Sequence, residues 1–203
     1  MRSYTIVKKP ETLDWSKVPV APIDNHLWRE QLGLEPVDIV CTAQVCYDDA
    51  ALYVRMTAKE ADIRNEETGV QGMPCRDSCL EFFFRPFADS MRYINIELNP
   101  GCCMWLGYRD EENKLIRIEE PSTILNAKAE RTADGWEVTY RVPEALIAKY
   151  FDGFKFESGK KMPANFYKCG DLTVKKHYIA WNKIEQDEPA FHVPEWFGDV
   201  SFE

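Results

Sequence analysis

The chain reads as an all-β protein, an antiparallel β-sandwich carrying one short helix. Three observations predict this. About ten short segments alternate apolar and polar residues with the period of a strand. Turn-forming residues separate them. Only one stretch carries helix start and stop signals, so a parallel α/β sheet, which needs a helix at each crossover, is excluded.

The first hairpin joins Ala43–Tyr47 to Leu52–Thr57 through the acidic turn at Asp48 and Asp49, with Leu52, Val54 and Met56 on one face. After a polar loop over 61–76, Ser78–Arg85 places Leu80, Phe82 and Phe84 on one side and Glu81, Phe83 and Arg85 on the other. Tyr93–Asn99 alternates more cleanly still: Ile94, Ile96 and Leu98 face one way, Tyr93, Asn95, Glu97 and Asn99 the other. The turn Asn99-Pro100-Gly101 leads to a return strand, Met104–Tyr108. Strands are also expected at Lys128–Arg131, Trp136–Val142, Asn165–Cys169, His177–Ile184 and Val200–Phe202, and charged loops over 113–124 and 156–163. The helix is Pro143–Phe151, with proline in its first turn and Gly153 just past its end. No repeat or Gly/Ser linker divides the chain, so residues 1–203 are read as one domain.

The formal charge is −9 and the pI near 5.0. An acidic surface repels phosphate backbones and anionic lipid, which argues against nucleic-acid and membrane partners and leaves neutral ligands favoured. Met1–Pro10 lacks the apolar run of a signal peptide, which predicts a cytoplasmic location, or a secreted one if a leader has been trimmed. Seven cysteines at irregular spacing make a poor disulfide framework. Cys75 and Cys79 have no answering Cys or His pair, so no metal site is expected.

Sequence templates for a serine-hydrolase elbow, a phosphate loop and a zinc-protease helix are all missing. The notable feature is instead a polar strand face. Glu81, Tyr93, Asn95, Glu97 and Asn99 offer carboxylates, amides and a phenol, the groups that satisfy sugar hydroxyls. Sugar rings also have apolar faces that pack on aromatics, for which Phe83, Trp105, Tyr108, Trp181, Phe191 and Trp196 are candidates. An ordinary solvated sheet face, with the tryptophans in the core, is the plainer alternative, and periodicity does not separate the two.

Several segments in order carry a resemblance: Val45–Asp49 followed by Leu52–Val54, Asp77–Phe83, Tyr93–Asn99, Gly135–Val138 leading to Val142-Pro143, and the closing run Phe191–Gly198. Over roughly residues 38–203 the chain resembles carbohydrate-binding module family 9, in a stand-alone bacterial form. The resemblance implies an immunoglobulin-like or jelly-roll sandwich that binds sugars without catalysis, at chain ends of xylan or cellulose, between two tryptophans. It places Phe191 at the second aromatic and Glu81, Asn95 and Glu97 near the polar contacts. The first tryptophan is absent: Met73-Pro74-Cys75-Arg76 stands there. Calcium, carried by some members, has no compact Asp/Asn cluster to bind it here, so no cofactor is expected.

The ligand-binding residues expected are therefore Glu81, Phe83, Tyr93, Asn95, Glu97, Trp181 and Phe191. Two alternatives stand beside sugar binding: a glycoside-processing enzyme using Glu81 and Glu97 as its acid pair, and a protein-interaction module. Which sugar is bound and the oligomeric state stay open.

Overall fold

The computed structural model describes residues 1–112 and 114–203; Asn113, the start of one expected loop, lies outside the described residues. In chain order the elements are β1 (Ser3–Lys8), β2 (Ala21–Ile23), β3 (Asn25–His26), helix α1 (Arg29–Leu32), β4 (Val40–Tyr47), β5 (Ala51–Lys59), β6 (Cys79–Phe84), β7 (Tyr93–Leu98), β8 (Met104–Arg109), β9 (Leu115–Arg117), β10 (Lys128–Arg131), β11 (Gly135–Pro143), helix α2 (Glu144–Tyr150), β12 (Ala164–Gly170), β13 (His177–Ala180) and β14 (Asp199–Phe202). The expected strands are present. β1, β2, β3 and β9 are additional: the last three are too short to show a period, and β9 sits inside an expected loop. A second helix, α1, is a single turn.

Two sheets face each other. One runs β10-β11-β5-β4-β1-β14, with β2 also on β4; the other runs β3-β13-β12-β6-β7-β8-β9. Pairing is antiparallel except at β1, which lies parallel to both β4 and β14. The free edge of β4 is thus shared: β2 pairs with Cys41–Ala43 and β1 with Cys46–Tyr47.

The inner faces meet in one core, as strand alternation requires. Leu80, Phe82 and Phe84 of β6 and Ile94, Ile96 and Leu98 of β7 point inward and are buried against Val54, Met56, Val138 and Phe166. Phe82 stacks on Phe166 with ring centres 4.8 Å apart. What distinguishes the second sheet is that its central strands are buried on both faces. Their outer face is covered at one end by the C-terminal segment 184–197, which packs Ile184, Val193 and Phe197 onto Phe83, Tyr93 and Tyr167.

β13 ends at Ala180, four residues before the expected limit, and a side chain explains why. The Asn165 amide replaces a strand partner: its Oδ1 accepts from Asn182 N at 2.8 Å and its Nδ2 donates to Asn182 O at 2.9 Å. With both groups of Asn182 satisfied, the backbone leaves the ladder without an unpaired donor. Beyond it Gly198 makes a close approach: a Cβ there would lie 2.4 Å from the Trp181 ring.

Candidate functional site

Register builds the site. On the outer face of the second sheet, Glu81 stands directly opposite Glu97 on β7 and Tyr167 on β12, and Glu97 stands opposite Trp105 on β8. This row of four side chains crosses four strands. Directly opposed residues have Cβ atoms about 4.5–5.5 Å apart, so the two carboxyls are immediate neighbours. Beside this row the covering segment ends and a cleft of about 310 Å³ opens, with Glu81, Glu97 and Cys169 in its floor.

One wall is aromatic and comes from three parts of the chain. Phe191 lies face to face with Tyr167, with 4.1 Å between ring centres and an 8° tilt. Trp28 and Tyr178 each approach Phe191 to 5.7 Å. Trp28 has φ +53°, in the left-handed region that bulky residues avoid. Its indole N–H donates to Gln186 O at 2.9 Å, which ties the conformer to the covering segment. Trp105 and Leu115 line the opposite side, and the Arg117 guanidinium lies 4.3 Å over the Trp105 ring. The Trp105 Nε1 is buried with no acceptor among the described residues.

The rim residues Met73 and Cys75 belong to the segment before β6, and Asp77 anchors it. The buried Asp77 carboxylate accepts from the backbone N–H groups of Glu66 and Glu67 and from Asn99 Nδ2, each at 2.8 Å, and pairs with Arg64 Nε at 3.2 Å. The Asp-Ser motif therefore fixes the loop. On the far side of the rim, Tyr178 donates to Asp171 Oδ1 at 2.6 Å, and Asp171 N donates to Cys75 O at 2.9 Å.

Burial sets the electrostatics. Loss of water around Glu81 holds its carboxyl well above the usual carboxylate range, and repulsion from Glu97 adds to this. Burial, with Asp171 adding to it, pushes Glu97 up to about 7 even though Asn95 Nδ2 donates to its Oε1 at 2.9 Å. Neighbouring acids that cannot both ionise share protons, so the floor both donates and accepts. The Cys169 thiol donates to Glu81 Oε1 at 2.9 Å. His192, at the rim and hydrogen-bonded to Tyr93 Oη at 2.8 Å, is pushed down to about 4 by burial and by Arg109. It is neutral near pH 7.

The residues expected from sequence fall into three groups. Glu81, Glu97 and Phe191 line the cleft. Phe83, Tyr93 and Asn95 are on the expected face but lie beneath the covering segment or the floor: Phe83 packs in a triangle with Tyr93 and His192, ring centres 5.0–6.1 Å apart, and Asn95 braces Glu97. Trp181 is a correction. Parity along β13 puts His177, Ile179 and Trp181 inward, and Trp181 packs in the core against Tyr4 and Phe166. Sequence patterning does not single out Trp28, Asp171 or His192 for the site, because loops and the short β3–α1 region bring them there, nor Tyr178, which the pairing of β13 with β12 sets beside Cys169. Trp105, a candidate platform, does line the cleft. The missing tryptophan at Met73–Arg76 is not replaced in place; Met73 stands at the rim, 37% exposed.

Among the described residues, the one group of three metal-type ligands brought together is Cys79, Glu81 and Cys169. Two thiols are a poor donor set for calcium, which takes about six to eight oxygens.

A two-sheet sandwich with an aromatic-walled, acid-floored cleft on one outer face defines the class of the β-sandwich module. The chain belongs to carbohydrate-binding family 9, whose profile matches residues 7–202. It is similar in structure to a protein of Bacteroides uniformis described as a candidate carbohydrate-binding protein, at 23% identity and a TM-score of 0.84, covering 100% of this chain and 98% of that one. A family 9 module from Caldicellulosiruptor kristjanssonii in complex with cellotriose is 13% identical with a TM-score of 0.68, covering 100% and 94%. The glucose complex of a family 9 module from the same organism gives 14%, 0.65, 100% and 96%. Comparison with curated proteins returns no match.

Proposed function

We propose that this protein is a non-catalytic module that holds a neutral mono- or oligosaccharide in the cleft over Glu81 and Glu97. The observation that carries this reading is the row Tyr167–Glu81–Glu97–Trp105, with Phe191 stacked on its first member. Two proton-sharing carboxyls meet hydroxyls as donors and acceptors, while Phe191 and Trp105 offer surface for the C–H faces of a ring. Family membership supports a sugar ligand, and related modules have been seen with glucose and cellotriose. The volume lies at the small end for ligand sites, which favours a short ligand or a chain end.

Binding without catalysis is the reading that family 9 membership supports. Calorimetric titration with glucose and cellotriose tests the reading. A saturable heat with one site per chain, weakened in Glu81→Ala, is expected; no heat at millimolar sugar, with the fold intact, would overturn it.

A further inference from the structure

The floor also contains a cluster that sugar binding does not require. Cys79 on β6 and Cys169 on β12 are directly opposed in the ladder, and Glu81 lies two residues along β6 on the same face. The two sulfurs and a Glu81 oxygen all lie within 4.8 Å of one another, and all three residues are buried. We propose that Cys79, Cys169 and Glu81 form a binding site for a thiophilic divalent cation, zinc in the first instance, reached through the cleft.

The geometry suits the ion. Tetrahedral zinc holds sulfur at about 2.3 Å and carboxylate oxygen at about 2.0 Å, which puts ligand atoms about 3.3–3.8 Å apart. Here the Cys169 sulfur and Glu81 Oε1 are already 2.9 Å apart, and hydrogen-bonded neighbouring strands hold all three side chains. Sulfur donors select zinc over calcium or magnesium. Cys169 and Glu81 line the cleft, so the fourth position opens into it, where Cys75 also stands.

Charge completes the argument. Lys168 projects to the other face and pairs with Glu60 at 3.2 Å. The protons that hold this cluster neutral are what a cation replaces. One zinc ion enters, the thiol protons of Cys79 and Cys169 and any proton on Glu81 leave to solvent, and no electron is transferred.

The test uses the full reduced chain and cobalt(II) alone, without sugar, so its failure is distinct from failure of the sugar reading. A near-ultraviolet sulfur-to-cobalt charge-transfer band saturating at one equivalent, and bleached by zinc, is expected. Cys79→Ser and Cys169→Ser should each weaken it at least tenfold, while Cys41→Ser, elsewhere in the core, leaves it unchanged. Should the serine variants fold poorly, X-ray absorption of the zinc-loaded native protein decides: it must show two sulfur neighbours at about 2.3 Å. Absence of the band, its survival in the double Cys79/Cys169 variant, or a zinc shell without sulfur would each overturn the proposal.

Discussion

Replacing Glu97 with glutamine isolates the cost of keeping an acid in the cleft floor. The amide keeps the shape, and its oxygen still accepts from Asn95 Nδ2, but it cannot ionise. In the native state Glu97 holds its proton up to about pH 7 against an ordinary value of 4.5. Between those values the folded chain binds more protons than the unfolded one, so this group's contribution falls as pH rises through the window. The interval corresponds to about 3 kcal/mol, at about 1.4 kcal/mol per pH unit. His192, pushed down to about 4, and His177, to about 3, act with the opposite sign in acid. Both proteins share them, so the difference between the two stability curves cancels them. Urea unfolding at a series of pH values should give near-equal stabilities at about pH 4.5. By about pH 8 Glu97→Gln should be ahead by about 3 kcal/mol, or about 6–12 °C in Tm for a chain of this length. The variant also relieves Glu81 of a neighbouring charge, which acts in the same direction. A difference that stays flat across this range, or one in which the variant loses ground as pH rises, would refute the reasoning.

Three further outcomes follow from the same geometry. Phe191→Ala removes the ring stacked on Tyr167 and should lower glucose affinity about tenfold or more in calorimetry, about 1.4 kcal/mol. Trp181→Ala, despite its place among the sequence candidates, should cost about 3–5 kcal/mol of stability and leave affinity per folded molecule unchanged; a selective loss of binding would return Trp181 to the site. Asp77→Ala strands three N–H donors and the Arg64 ion pair, and should lower the stability measured by urea unfolding by about 3 kcal/mol or more.

Strand parity makes much of this legible in the sequence. The inward set of β6 and β7 and the outward placement of Glu81, Asn95 and Glu97 need only alternate residues. Which outward residues meet a ligand depends on something parity does not encode, namely where the covering segment 184–197 stops. Phe83 and Tyr93 lie under it and Glu81 and Glu97 lie beyond it. Parity groups Trp181 with Ile179 even on the expected strand, but nothing local in that strand says which of its faces is the core, and Trp181 is misplaced for that reason. Trp28 and Tyr178 reach the cleft through contacts between segments 150 residues apart. Cys79 and Cys169 are joined by register across 90 residues, a relation no local spacing can show.

The parallel pairing of β1 with β14 has a consequence for how the chain comes to be folded. Ser3–Ile6 finds its partners at Asp199–Phe202, close to the widest separation in sequence the chain offers. On a ribosome the opening strand must wait, with one ladder edge unpaired, until residues 199–202 have been translated and have left the exit tunnel. The exposed edge is a vulnerability during synthesis. Loops this long close slowly, so the step that seals the first sheet should be late and rate-limiting in refolding.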